Sequence, residues 1–224
     1  MISVIVPVFN EERVLTARRE YFGDLARQAE VIFVDGGSTD RSVAVLDGAL
    51  RVIRAPKGRA RQMNAGAAAA EQDILLFHHA DNTIETGTLR MIEEQVAAEG
   101  LAGGCLRQVI DQPGWMFRWI AWTGNVRARC RRIYYGDQGM FVRKDVFQKL
   151  GGFPECEIGE DVAFSKMLRR HGPVRMLPCP VTCSARRWLS QGVVKTTLIN
   201  TRIKLGLMLG DEGQQLTEVY RDIR

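Results

Sequence analysis

Several side chains of types that do chemistry sit in short polar runs directly after apolar ones. His78-His79-Ala80-Asp81-Asn82 follows the apolar run Ile74–Phe77 and offers two imidazoles and a carboxylate. On extended backbone, residues two apart point to the same side, so His79 and Asp81 can face one ligand. A carboxylate so placed suits a hard divalent cation, Mg2+ or Mn2+, which prefers oxygen ligands. An imidazole beside it can ligate Mn2+ or bond a hydroxyl. Glu160-Asp161 opens a helix-period segment. An aspartate there can act as a general base, although acids in a first helical turn are also favoured by the backbone dipole alone. The same dipole predicts a lowered Asp161 pKa, with some basicity restored when a bound ligand excludes water.

Other runs carry polar groups that a fold alone does not require. Asp35-Gly36-Gly37-Ser38-Thr39-Asp40 places an acid before two flexible glycines and a helix-capping hydroxyl. A β-turn with a helix cap explains the run equally well. Lys57, Arg59 and Arg61 make a basic entry to a helix, read either as nucleotide contacts or as a solvated face. Arg186-Arg187-Trp188 supplies guanidinium groups, whose planar fork matches a diphosphate.

The elements that must position these runs alternate between strand and helix. Strands are expected at Ile2–Val8, Val31–Val34, Arg51–Arg54 and Ile74–Phe77, with helices over 11–28, 40–48, 59–70 and 87–99. Such alternation implies βαβ units and a mostly parallel sheet with helices on both faces. Ligands of such sheets gather at the carboxyl ends of the strands. Beyond residue 110 the pattern changes to an aromatic-rich helix over 115–132, a strand at Gly139–Val142, a helix from Glu160 to Gly172, and strands near 174–177 and 181–185. An amphipathic helix is expected over 193–209. Three stretches follow: 1–110, 111–189 and 190–224.

What the chain lacks is equally informative. The loop after the first strand, Pro7-Val8-Phe9-Asn10-Glu11-Glu12, has no glycine, and no G-x-x-x-x-G-K-[ST] occurs, which removes the dinucleotide and P-loop readings. The net charge of +5 suits an anionic partner, but no nucleic-acid-binding signature is present, and none is expected to bind. Five cysteines without C-x-x-C read as reduced thiols of a cytoplasmic protein. No apolar run reaches the length of a membrane span, and the N-terminus has no leader pattern. Residues 193–209 are interrupted by Lys195, Arg202 and Lys204, so packing on the domain and peripheral contact at the inner face of a membrane are both open. The 115–132 helix is core, lid, dimer surface or membrane face, with core the default.

Taken in order, VIVPVFNEE, VDGGSTD, LLFHHAD, GMFVRKDVFQKLGGF and GEDVAFSKMLRRHG resemble the family-2 glycosyltransferases of the GT-A fold. With GRARQMNAGAAAA, YGDQG and SARRW, the chain is similar to a bacterial subfamily associated with radical-SAM or selenodomain proteins and arsenosugar biosynthesis. The resemblance implies a GT-A α/β sheet and inverting transfer from a nucleoside-diphosphate sugar to an acceptor it does not identify. It implies a divalent cation, Mg2+ or Mn2+, held by Asp81, the last acid of that family's D-x-D motif, with His79 in place of the first. It places Pro7, Asn10, Glu11, Asp35, Arg59, Arg61 and His79 around the nucleotide, and Arg187 on the diphosphate. Asp161 becomes the base, and Asp137, Gln138 and Glu160 the acceptor contacts. A UDP-sugar is the family's usual donor, yet Gly36 stands where a second acid commonly meets uracil. A homodimer is a further expectation. The rival is a GT-A module that binds a nucleotide sugar or docks at a membrane without catalysis. A sugar nucleotidyltransferase would need a glycine-rich basic loop where VPVFNEE stands.

Overall fold

The computed structural model describes residues 1–46, 48, 50–156 and 158–209. The expectations for residues 210–224 lie outside the described residues. The first half runs β1 (Ile2–Val8), α1 (Glu12–Ala17), α2 (Arg19–Ala26), β2 (Glu30–Asp35), α3 (Ser42–Leu46), β3 (Arg51–Arg54), α4 (Arg59–Ala69), β4 (Ile74–Phe77), β5 (Thr83–Ile84) and α5 (Thr88–Glu99). The second half runs β6 (Gly103–Ile110), α6 (Trp115–Arg131), β7 (Met140–Arg143), α7 (Lys144–Lys149), α8 (Glu160–His171), β8 (Val174–Cys183), α9 (Arg186–Gln191) and α10 (Val193–Leu209).

All eight strands share one sheet in the order β3-β2-β1-β4-β7-β6-β8-β5. β3, β2, β1 and β4 are mutually parallel, β7 runs antiparallel between β4 and β6, and β6 and β8 are parallel. The mixed α/β architecture with a mostly parallel sheet is the one expected. Central strands buried on both faces read as continuous apolar runs, and β1 is such a strand. Its alternate residues Val4, Val6 and Val8 pack with Leu15, Phe22 and Phe33 on one face. Ile5 packs with Val34, Met63, Phe77 and the aromatics Phe147, Phe153 and Phe164 on the other.

Three differences from the sequence reading have physical causes. The single helix over 11–28 is two, broken at Arg18 (φ −118°, ψ 15°), whose guanidinium reaches across to the loop after β4. The two strands near 174–177 and 181–185 are one, with its register against β6 shifted between the Leu106–Leu177 and Arg107–Pro180 pairs, beside Pro178. β6, which opens on Gly103-Gly104, is an element with no counterpart in the sequence reading. Both glycines are required by close backbone approach: a Cβ on Gly104 would lie 1.9 Å from the Arg175 carbonyl oxygen, and one on Gly103 2.5 Å from that of Phe141.

The C-terminal elements form a small layer over one end of the sheet, with Ile110, Phe117, Ile120 and Ala185 at its centre. α10 buries Thr196 and Ile203 but exposes Val194 and Leu198, so its apolar residues lie on both sides of the helix rather than on one. Among the described residues, no helix is long and apolar enough to cross a membrane. Cys105, Cys130, Cys179 and Cys183 are free thiols.

Candidate active site

The carboxyl ends of β1 and β4 and the starts of α4, α8 and α9 surround a cavity of about 910 Å³. Its wall is knitted first between the loops after β1 and β2. Asn10 takes a left-handed backbone (φ 54°) that lets its side chain reach the neighbouring loop. Its Oδ1 accepts from the Thr39 amide at 2.8 Å, its own amide donates to Ser38 Oγ at 2.9 Å, and the Glu11 amide donates to Ser42 Oγ at 2.8 Å. Pro7, Asn10 and Glu11 line the cavity, as does Lys57, whose ammonium lies 4.0 Å from the centre of the Phe9 ring.

Asp35 does not line it. The side chain is buried, and its carboxylate accepts from the amides of Gly37 at 3.1 Å and Ser38 at 3.0 Å. Its carboxylate holds the turn after β2. Gly36 is small for a visible reason. A Cβ there would lie 2.9 Å from Gln62 Cδ, and buried Gln62 donates to the carbonyls of both Val8 and Val34 at 2.8 Å. Gln62, unanticipated, is itself part of the cavity wall.

At the end of β4 a buried scaffold fixes the polar run. Tyr21 Oη accepts from the Ile84 amide at 3.1 Å and shares a hydrogen bond with His78 Nε2, 3.0 Å away. Burial, then the charge of Arg18, pushes the His78 pKa down to about 3, so the ring is neutral at ordinary pH. Arg18 donates to the Asp81 carbonyl at 2.9 Å, to Thr83 Oγ1 at 2.7 Å and to the Asn82 carbonyl. Loop residues 78–83 are thus held from beneath, and His79 and Asp81 line the cavity. The Asp81 side chain is 30% exposed, with Arg186 Nη2 at 3.5 Å. The His79 ring lies against the Arg59 guanidinium.

Opposite stand Glu160 and Asp161 at the start of α8. Glu160 is buried, with Arg59 Nε at 3.8 Å. Asp161 is half-buried on the wall; its Oδ2 accepts from the Gly136 amide and its Oδ1 from the Val162 amide, both at 2.7 Å. Its pKa is raised to about 7, by burial first and the neighbouring Glu160 charge second, against the opposing pull of Arg59 and the two amides. The lowering expected from the helix dipole is therefore reversed: desolvation outweighs it.

The remaining expected contacts divide. Asp137 lines the cavity, its Oδ2 accepting from Gln108 Nε2 at 2.6 Å. Gln138 does not: it is fully buried, and its Oε1 accepts from Arg127 Nη2 at 2.5 Å and the Tyr135 amide at 3.3 Å. Arg61 points away and pairs with Glu155 at 2.8 Å. Arg187 lines the cavity, but it is the adjacent Arg186 that reaches Glu11 at 3.1 Å as well as Asp81. Arg127 and Tyr135 also line the wall, with the guanidinium 3.4 Å from the ring centre. Only the basic character of the RRW run hinted at Arg186.

Among the described residues, no group of three or more His, Cys, Asp or Glu side chains converges as a metal cage. Asp81 alone still fits the donor set of Mg2+ or Mn2+ in phosphate sites, where one or two carboxylates are completed by water and substrate oxygens. His79, turned against Arg59, is not brought into a ligand cluster with it.

A parallel βα half joined through antiparallel β7 to a second half, with a polar cleft at the strand ends, defines a GT-A-type glycosyltransferase fold. The chain belongs to glycosyl transferase family 2, whose profile matches residues 3–152. No curated protein matches it in sequence. Among solved structures, TarS 1–349 of S. aureus in complex with UDP-GlcNAc is similar at a TM-score of 0.65 and 19% identity, over 82% of this chain and 58% of that one. TarS 1–349 itself gives 0.65 and 20%, over 83% and 61%. The mannosyltransferase PcManGT from Pyrobaculum calidifontis, in complex with GDP-Man and Mn2+, gives 0.64 and 19%, over 99% and 69%. The chain thus spans about three fifths of the TarS fragment.

Proposed function

We propose that this chain transfers a sugar from a nucleoside diphosphate to an acceptor hydroxyl, with inversion, by one direct displacement. The observation that carries the reading is the placement of Asp81 and Asp161 on the wall of one cavity, with the Asp161 pKa raised to about 7. A base is most effective when its pKa lies near working pH, where it is both ionised and able to hold a proton. The acceptor oxygen forms its bond to the anomeric carbon, its proton passes to Asp161, and the bond to the diphosphate breaks with the electron pair leaving on the phosphate oxygen. Glu160 and Asp137 orient the acceptor.

Asp81 would hold a divalent cation together with donor phosphate oxygens; such a cation supplies charge stabilisation to the leaving diphosphate. Arg186 and Arg187, rather than Arg187 alone, neutralise the same phosphates, and Arg59 with His79 lies between them and Glu160. Pro7, Asn10 and Glu11 form the nucleoside end. The neighbours crystallised with UDP-GlcNAc and with GDP-Man and Mn2+ support a nucleotide sugar and a cation without choosing the base. Gln62 fills the space beside Gly36, where a uracil-reading acid would have to displace it.

The test uses purified protein with Mn2+ and a panel of UDP- and GDP-sugars. Wild type is expected to release nucleoside diphosphate, and Asp161→Asn to bind donor with unchanged affinity while losing release. An Asp161→Asn protein that turns over normally removes the assigned base. A wild type that binds donor but never releases product favours a non-catalytic nucleotide-sugar module.

A further inference from the structure

The outer face of α6 has no part in the reading above. Trp115, Trp119, Trp122 and Val126 are 71%, 52%, 60% and 40% exposed. Their spacing, continued by Arg129, puts them within one narrow stripe of a helix turning 100° per residue, roughly 21 Å long at 1.5 Å per residue. The opposite face is buried through Phe117, Ile120, Gly124 and Ala128. Single exposed apolar residues are ordinary, but three indoles in register form a contiguous patch, and such patches mark interaction surfaces.

Charge selects the partner. α6, α9 and α10 contain arginines and lysines but no aspartate or glutamate. Among the described residues, every other large apolar side chain that is strongly exposed, except Met1, also lies on α9 or α10: Leu189, Val194 and Leu198. At the far end of the stripe, Arg129 borders a second cavity of about 390 Å³, lined also by Arg107, Arg132, Arg175 and Tyr134. The fully buried Tyr134 hydroxyl has no hydrogen-bond partner among the described residues. Among the described residues, the ion pair of this cluster with a carboxylate is that of Arg175 with Glu99. A protein partner of ordinary composition would not account for an apolar face built on helices without acids and ending in an arginine-lined cavity. An anionic bilayer does: indoles favour the interface between headgroups and acyl chains, and cations meet lipid phosphates.

We propose that the α6 stripe and the adjoining arginine cavity seat this protein on an anionic phospholipid surface. Trp115, Trp119 and Trp122 enter the interface, and Arg129 and Arg132 meet a headgroup phosphate. The inner face of the same helix supplies Ile120 and Arg127 to the large cavity, so docking sets that cavity beside the bilayer. The contact lies on α6 first, with α10 only flanking it.

The experiment is co-sedimentation of the full chain with phosphatidylcholine vesicles, with and without phosphatidylglycerol, followed also by indole emission. Expected are binding to the anionic vesicles alone, a blue shift on binding, and weakening by salt. The triple variant Trp115→Ala/Trp119→Ala/Trp122→Ala should lose partitioning by about tenfold or more. Arg129→Gln/Arg132→Gln should lose the preference for phosphatidylglycerol, and lysine at both positions should restore it. Both variants change exposed side chains and are expected to keep the wild-type melting transition. Three results would overturn the proposal: wild type that ignores anionic vesicles at low salt; a folded tryptophan variant that binds as wild type does; or a wild-type dimer in solution that the tryptophan variant dissociates. Stabilisation by inorganic phosphate without vesicle binding would assign the cavity to a free anion and overturn it too. None of these readouts depends on sugar transfer.

Discussion

Replacing Asp161 by asparagine should separate stability from catalysis, and its effect on stability should depend on pH. In the fold the carboxyl titrates at about 7, against an ordinary value of 3.8. A group whose pKa is raised by folding contributes stability that is complete below the unfolded pKa and is lost as pH rises through the folded one. For Asp161 the loss begins near pH 4 and levels off above about pH 7, reaching at most ~4 kcal/mol at 1.36 kcal/mol per pH unit. Between about pH 5 and about pH 8.5 the loss comes to ~2–3 kcal/mol. The carboxamide of the variant has no charge to bury. It can accept from only one of the two amides that Asp161 serves, those of Gly136 and Val162, a penalty of about 1 kcal/mol that does not vary with pH. The stability of the variant relative to wild type should therefore rise by ~2–3 kcal/mol between the two pH values. In a domain of this size that widens the melting-temperature difference by roughly 5–10 °C. Thermal denaturation of both proteins at the two pH values measures it. Parallel behaviour of wild type and variant would show that the Asp161 carboxyl is not desolvated, and the basis for its function as a base near neutral pH would go with it. Transfer by the variant should fall by about 10²–10⁴-fold at either pH.

Further outcomes follow from the same contacts. The kcat/KM of transfer should rise about tenfold per pH unit below about pH 7 and then level off. Glu160→Gln should move that limb to lower pH, because the neighbouring charge that raises the Asp161 pKa is gone; an unmoved limb would dissociate the two carboxylates. EDTA should weaken nucleoside-diphosphate binding to wild type in a thermal-shift titration and leave Asp81→Asn unaffected, whereas equal binding with and without chelator would remove the cation from Asp81. Gly104→Ala should cost more than about 4 kcal/mol and give little soluble protein, since no side-chain motion relieves a Cβ set 1.9 Å from a backbone oxygen.

Much of the parallel half was legible because its signals are local. β1, β3 and β4 have the bounds that their apolar runs suggest, and α4 and α5 begin within a residue of the expected positions. What escaped depends on partners distant in sequence. The need for glycine at 103 and 104 comes from the Phe141 and Arg175 carbonyls that press against them. Among site residues, Asp35, Arg61 and Gln138 had the right chemical types, but their side chains are engaged with Ser38, Glu155 and Arg127 respectively. Only the folded chain reveals that competition. The direction of the Asp161 pKa was missed for a similar reason: a helix dipole can be read from sequence, whereas desolvation by a cavity wall cannot.

The relation between Asp81 and Asp161 is set by strand pairing rather than by flexible loops. β4 and β7 are antiparallel, with Phe77 opposite Met140, so the chain leaving β4 at residues 78–82 and the chain entering β7 at residues 136–139 meet at one end of the sheet. Asn82 Nδ2 closes that junction by donating to the Asp137 carbonyl at 2.9 Å, and the Gly136 amide in turn holds Asp161 Oδ2. A path of backbone register, one amide side chain and one amide N–H therefore connects the two carboxylates. Groups fixed before substrate arrives need no reorganisation during reaction, which is where electrostatic catalysis gains most. Gly136 also admits the His79 ring, since a Cβ there would stand 3.1 Å from its Nε2. A substitution at Gly136 would thus disturb the His79 end and the Asp161 end of the cleft together, although residue 136 carries no side chain to take part in the chemistry.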